Sequence, residues 1–460
     1  MVQKSTADAN SYFHQGLQLA WASGYEDAIL SFDRAIQMAP SWHQPWYHKG
    51  LAQCELGWFS QALQSFNQAL DLCPRSPVAM NHRGIVLFHL GSFEAAIASY
   101  DQAIKLEPNF HQAWFNRGNA FNKLGCWTAA LESFDRCLAI DADYAKAWYN
   151  RAITLTQLNQ LEAAIASYDR AIAFRPHYSN AWYNRANLLY RLHRDDEAIE
   201  NYQRVLAIKA DWYGAWYNLG NILHKLGRHA AAVEHYDQAL KLAPQFYGAW
   251  YNRGNALDAL GRYDEAIASY QRALRLKPDL REAWYNWGNS LYKASRYEEA
   301  IASYEQALRL DPQFARAWSC RGAALHKLGR YDEAIASYDK AVQFQPTLHD
   351  AWYGRGLCLG HLGENDAAVS SYDRAIAAQP DSYPAWYSRG VSLSHLGEYE
   401  RAIASYDRAL EVCPEAPEAV SRRNLALSCA SAPELADDRD MNDHLTVQPE
   451  AVIEPRPIGS

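Results

Sequence analysis

The chain has 460 residues, 49% of them hydrophobic, and a net charge of -8. From Ala432 onward seven acids face two bases, so five of the eight excess negative charges lie in the last 29 residues and the remainder is close to neutral. A near-neutral body lacks the basic stripe that phosphate backbones need, which argues against a nucleic-acid partner, and no stretch reaches the roughly 18 apolar residues of a membrane span.

In chain order, residues 1–8 read as a short lead without the apolar core of a signal peptide, so a cytoplasmic location is expected. From there proline recurs on a 34-residue lattice, at Pro40, Pro74, Pro108, Pro176, Pro244, Pro278, Pro312, Pro346, Pro380 and Pro414, with Ala142 and Ala210 in the two gaps. A fixed period of this length signals a stacked repeat array. Twelve repeats fill residues 9–416, residues 417–431 read as a capping helix, and the acidic, proline-containing residues 432–460 as a disordered tail. The eight cysteines show no CxxC and no regular spacing, and read as reduced thiols filling small core sites.

Within one repeat, residues 247–280, apolar and small residues follow helical spacing in two runs split by Gly261, the second closed by Pro278. That predicts a helix, a short turn and a second helix. Alanine holds the twentieth position of all twelve repeats, from Ala28 to Ala402, where a larger side chain would push paired helices apart. Four residues later comes an aromatic, from Phe32 to Tyr406, assigned to the core.

This pattern of Trp, Gly, Ala, aromatic, Ala and Pro resembles the tetratricopeptide repeat. The fourth position carries tryptophan in ten repeats, with only Tyr12 and Met80 departing, and is read as part of the buried face. The resemblance implies an all-α fold, a right-handed superhelical α-solenoid of helix-turn-helix units, whose concave groove takes peptides or partner proteins.

One departure from the family pattern is arginine at the seventh position: Arg83, Arg117, Arg151, Arg185, Arg253, Arg321, Arg355 and Arg389. Sixteen residues upstream of most of these lies an acid, for example Asp169 for Arg185 and Asp339 for Arg355. Two slots without a basic residue, Leu219 and Trp287, follow Gln203 and Gln271, which are not acids either. The joint loss of both signs points to an ion pair between repeats, for which the fork of arginine is suited.

The second, fifth, sixth, ninth, twelfth and thirteenth positions of the first helix fall opposite the tryptophan and glycine face. Asparagine fills the sixth at Asn116, Asn150, Asn184, Asn218, Asn252 and Asn286, and the ninth at Asn119, Asn187, Asn221, Asn255 and Asn289. An amide both donates and accepts, matching an extended peptide backbone; the competing role is to satisfy neighbouring groups of the fold itself. A similar asparagine ladder lines the repeat region of O-linked N-acetylglucosamine transferases, where it clamps peptide. Tyrosine flanks the ladder at Tyr149, Tyr183, Tyr217, Tyr251 and Tyr285, offering apolar area with a polar tip, although packing between first helices serves equally well. Lys225 and Lys293, with Lys327, lie at the thirteenth position, where an acidic client or the helix dipole would suit them. The lysine and asparagine clamp by which some family members hold chaperone carboxyl termini is incomplete, since the fifth position is mostly tyrosine.

No catalytic constellation emerges; His224, His326, His361 and His395 recur because the repeat recurs, and neither metal nor cofactor is expected. The expectation is a non-enzymatic scaffold for an extended peptide or partner protein, of the kind that includes bacterial assembly factors. The alternative is the recognition arm of a peptide glycosyltransferase acting in trans or cut from its catalytic region.

Overall fold

The computed structural model describes residues 2–431, with backbone alone for residues 2–7; Met1 and the acidic segment 432–460 lie outside the described residues. Among the described residues every regular element is an α-helix, in two compact units that divide after Ala210. The first unit holds α1 Val2–Trp21, α2 Tyr25–Met38, α3 His43–Glu55, α4 Phe59–Leu72, α5 Pro77–His89, α6 Phe93–Leu106, α7 His111–Lys123, α8 Trp127–Ile140, α9 Ala145–Gln157, α10 Leu161–Phe174, α11 Ser179–Arg191 and α12 Asp195–Ile208. The second holds α13 Tyr213–Lys225, α14 His229–Leu242, α15 Tyr247–Ala259, α16 Tyr263–Leu276, α17 Arg281–Lys293, α18 Tyr297–Leu310, α19 Ala315–Lys327, α20 Tyr331–Phe344, α21 His349–His361, α22 Asn365–Ala378, α23 Tyr383–His395, α24 Tyr399–Val412 and α25 Pro417–Ser431. Odd numbers are first helices and even numbers second helices. Because α1 opens at Val2, residues 2–8 continue the first helix of the array.

The turn inside each repeat passes through a left-handed residue, glycine in most repeats (Gly261, φ 73°) and Ser23, Asn159, His193 or Ser295 in the others. Glycine adopts that conformation without the Cβ penalty. Beyond the turn the two helices close on each other through small residues. The twelve alanines from Ala28 to Ala402 are fully buried, and the ring four residues later covers the eighth-position glycine of the first helix. A Cβ on Gly288 would stand 2.5 Å from Tyr304 Cε1, and one on Gly84 2.5 Å from Tyr100 Cε1.

The tryptophans correct the expectation of a fully buried face. They are half-buried, and in most repeats, though not at Trp46, the indole N–H reaches back across the repeat junction to a backbone carbonyl. In the first unit Trp114 donates to Pro108 O (2.9 Å) and Trp148 to Ala142 O (2.8 Å); in the second, Trp250 donates to Pro244 O (3.0 Å) and Trp352 to Pro346 O (2.8 Å). The acceptor is main chain, which is why Ala142 serves as well as proline.

The paired charges stand where the 16-residue spacing predicts. Arg185 Nε lies 2.7 Å from Asp169 and Arg355 Nε 2.7 Å from Asp339, and the same pair recurs at Lys49–Asp33 (2.6 Å), Arg117–Asp101 (2.7 Å), Arg253–Asp237 (2.6 Å), Arg321–Glu305 (2.9 Å) and Arg389–Asp373 (2.6 Å). A third partner was not read from sequence: Arg355 also donates to Ser371 Oγ (2.7 Å), and Arg117 to Ser133 Oγ (2.8 Å), on the following second helix. Arg117 and Arg355 therefore each tie a first helix to the second helices on both sides. Arg83, opposite Asn67, turns to Ser99 and Gln102 instead, and Trp287, in the slot without an acid, stacks on Trp284 at 5.1 Å. Arg355→Leu and Asp339→Leu are expected to destabilise by less in combination than the sum of the single changes. The coupling, read from urea titrations of the double-mutant cycle, should be about 0.5–1 kcal/mol because the aspartate is half-exposed; strictly additive losses would mean that the pair adds nothing.

At the far end α25 carries Asn424 where complete repeats have a small residue for the covering ring. No second helix follows it among the described residues, and Val420 and Leu427 on α25 are exposed.

Candidate functional site

Successive first helices touch one another within each unit, α3 with α5, α5 with α7 and α7 with α9 in the first, and α13 through α25 in steps of two in the second. Among the described residues successive second helices have no comparable contact. The row of first helices thus forms the inner face of each unit, and it carries the asparagines and tyrosines singled out above.

On this face the asparagines bond to one another and to tyrosine. In the first unit Asn116 Nδ2 donates to Asn81 Oδ1 (3.0 Å), Asn150 Nδ2 to Asn119 Oδ1 (2.7 Å) and Asn184 Nδ2 to the Tyr149 hydroxyl (3.0 Å), while the Tyr202 hydroxyl donates to Asn187 Oδ1. In the second unit Asn252 Nδ2 donates to the Tyr217 hydroxyl (3.0 Å) and to Asn221 Oδ1 (2.9 Å), and Asn286 Nδ2 to the Tyr251 hydroxyl (3.0 Å) and to Asn255 Oδ1 (3.0 Å). From the second helices, Tyr236, Tyr270 and Tyr304 each donate at 2.9 Å to Asn221, Asn255 and Asn289. Asn218 is half-buried on α13. The ladder is a hydrogen-bonded lattice built into the contacts between repeats.

The flanking tyrosines pack edge-on or tilted against the covering ring of the same repeat, Tyr149 on Tyr168 (5.9 Å), Tyr183 on Tyr202 (5.8 Å), Tyr217 on Tyr236 (6.0 Å), Tyr251 on Tyr270 (6.1 Å) and Tyr285 on Tyr304 (6.0 Å). Most of these residues remain half-buried, but α17 differs. Tyr285, Asn286 and Asn289 are 1%, 2% and 1% exposed, out of reach of any client. The neighbouring α19 has Cys320 and Ala323 at the ladder positions, and the Tyr285 hydroxyl lies 3.6 Å from Cys320 Sγ.

The thirteenth position also has a place in the fold. Lys293 Nζ lies 2.7 Å from Asp258 Oδ2, a carboxylate only 6% exposed that also accepts from Ser290 Oγ (2.6 Å), and its ammonium stands over the Tyr263 ring at 5.7 Å. Lys293 is therefore neutralised inside the wall. Lys225 and Lys327 end their helices exposed. The same offset places His361 flat on Tyr331 (4.8 Å) in the second unit and His89 flat on Phe59 (4.7 Å) in the first. Residue type at the thirteenth position alone does not announce these partners; the 35-residue spacing of Asp258 and Lys293 is the signal that does. Half the cysteines, Cys137, Cys320, Cys358 and Cys429, are buried as expected of core thiols, whereas Cys126 and Cys413 are exposed. Among the described residues no group of three or more His, Cys, Asp or Glu side chains converges as a metal site, and no helix is long and apolar enough to cross a membrane.

Models of the tetratricopeptide repeat match residues 217–280, 285–349 and 353–419, and related models of the same repeat match 43–76, 84–125, 111–144, 154–193 and 177–245. No curated protein matches the chain. Among solved structures it is similar to MamA, at 26% identity over 35% of this chain and 93% of that one with a TM-score of 0.34. It is also similar to YrrB, described as a tetratricopeptide repeat protein with an unusual peptide-binding site, at 25% identity over 43% and 99% with a TM-score of 0.36. The hetero-tetramer Cut9-Hcn1 matches at 14% identity over 91% and 96%, with a TM-score of 0.43. With repeat models matching from residue 43 to residue 419, and a physical place for each recurring Trp, Gly, Ala, ring and Pro, the chain belongs to the tetratricopeptide repeat family.

Proposed function

We propose that this protein-interaction scaffold holds an extended segment of a partner protein along the inner face of its first helices, without catalysing a reaction on it. The observation behind this reading is the half-buried lattice of Asn150, Asn184 and Tyr149 in the first unit and of Asn252, Tyr217 and Tyr251 in the second, which brings polar groups to the same face once per repeat. Helices pack about 8–10 Å apart and an extended chain rises about 3.3 Å per residue, so each repeat meets roughly every third residue of the client. Binding through the client's backbone then tolerates many sequences. The buried stretch of α17 takes no part, and Lys293, already paired with Asp258, adds no attraction for acids.

The test starts from peptides of about 15 residues, long enough to span several repeats, selected from a random library by the full chain. Lys146→Trp combined with Asn180→Trp places bulk at two exposed positions beside the lattice without touching its hydrogen bonds. The expected result is at least about a tenfold loss of affinity, or 1.4 kcal/mol, with the circular dichroism spectrum unchanged. Full affinity in that variant would move the site to another face.

A further inference from the structure

The hydrogen-bond inventory of the lattice separates groups that can meet a client from groups that cannot. A carboxamide has two hydrogens and one oxygen with two lone pairs. Asn286 gives its amide hydrogens to the Tyr251 hydroxyl and to Asn255 Oδ1, both at 3.0 Å, and is itself 2% exposed. Asn255 Oδ1 receives a second bond from the Tyr270 hydroxyl at 2.9 Å, which fills its capacity. Asn252 is engaged in the same way, with Tyr217 and Asn221. The amide donors of these two sixth-position residues are thus committed inside the fold.

Tyrosine is in the opposite position. A phenol oxygen that accepts a hydrogen bond keeps its own hydrogen to give. Tyr149 accepts from Asn184 at 3.0 Å in the first unit, and Tyr251 from Asn286 at 3.0 Å in the second. Tyr149 otherwise packs against Tyr168 and Tyr178; Tyr251 packs against Tyr270, and the Asn255 amide also stands within hydrogen-bonding reach of its hydroxyl. Burial raises the pKa of both phenols, so each keeps its proton at neutral pH.

Resting on the peptide-groove reading, we infer that in each unit a tyrosine hydroxyl, that of Tyr149 in the first and Tyr251 in the second, is the donor that takes a backbone carbonyl of a bound segment, and that Asn184 and Asn286 act through them as positioning residues. The asparagine fixes the phenol by occupying one lone pair, which leaves the hydrogen directed away from the repeat junction. The ligand this suits is an extended polypeptide that presents a backbone carbonyl oxygen to the tyrosine hydroxyl. It needs no N–H at that point, so proline is acceptable there.

The experiment is a double-mutant cycle on the full chain, with one fluorescein-labelled peptide from the selected library as the probe. Tyr149→Phe keeps the ring and removes the donor, and should weaken binding about 2- to 12-fold, the range of one net hydrogen bond. Asn184→Ala should weaken it comparably, and the double variant should bind no more weakly than Tyr149→Phe alone, because both changes remove one interaction. Thermal melts show which variants remain folded, and Asn184→Ser, which cannot span the same distance, repeats the test if the alanine variant melts early. Additive losses would overturn the inference by showing that Asn184 meets the peptide itself. Unchanged affinity in Tyr149→Phe would overturn it as well. In either case the Lys146→Trp and Asn180→Trp block still reports separately on the groove: if the block also fails, the groove reading falls, and if it holds, only the assignment of the donor does.

Discussion

Leucine in place of Gly254 is expected to lower the melting temperature by about 10 °C, from a loss of about 3 kcal/mol at 2–4 °C per kcal/mol. A Cβ there would stand 2.6, 2.8 and 2.9 Å from three atoms of the Tyr270 ring, well inside the 3.5 Å at which carbon contacts begin to repel. The ring has no room to retreat. Tyr270 is 1% exposed and its hydroxyl is held by Asn255 at 2.9 Å, so moving it disturbs the lattice as well as the α15–α16 contact. Alanine is the informative control. Two natural repeats carry Ala152 and Ala186 at this position and still bury Tyr168 and Tyr202, so Gly254→Ala should cost less than about 1.5 kcal/mol. Circular dichroism melts of both variants check the pair of expectations; a leucine variant that melts with the wild type would mean that the ring can leave its seat.

The features legible in the sequence were those in which a side chain meets a side chain at a fixed offset. Arg355 and Asp339 betray their contact because the two signs vanish together at other repeats, and the alanine and ring positions because only one size fits. The tryptophan junction was misread as simple burial, since its partner is the carbonyl of Pro346 or Ala142, and a backbone acceptor leaves no mark on residue type. The asparagines lie on the first helices, but helical periodicity cannot distinguish a side chain that faces a groove from one that faces the next first helix. Asn252 does the latter, bonding to Tyr217 one repeat earlier. The closure around Tyr285 involves the next first helix, whose Cys320 Sγ lies 3.6 Å from its hydroxyl, and residue types on α17 alone do not announce it.

Acid is expected to destabilise the fold between pH 6.5 and about 4, through His326 most of all. Its ring packs against Tyr331 of α20 (5.5 Å) and His361 of α21 (5.4 Å), and its Nε2 has no hydrogen-bond partner. Burial first, then the nearness of His361 and Lys327, pushes its pKa from 6.5 down to about 4. The folded chain therefore holds this imidazole neutral where the unfolded chain would protonate it. Stability is complete above pH 6.5 and falls as the pH drops toward 4, by up to about 1.4 kcal/mol per pH unit and on the order of 3 kcal/mol in all. His48, His82, His224 and His395 are lowered by burial too and add to the slope in the same direction. His224 shares a 2.9 Å Nδ1–Nδ1 hydrogen bond with His229, which a second proton would break. Urea titrations at pH 7, 6 and 5 should show the midpoint falling at each step, and His326→Phe, which keeps a ring but cannot titrate, should flatten that fall by removing the largest single contribution. A variant whose midpoints fall as steeply as those of the wild type would place the acid sensitivity elsewhere.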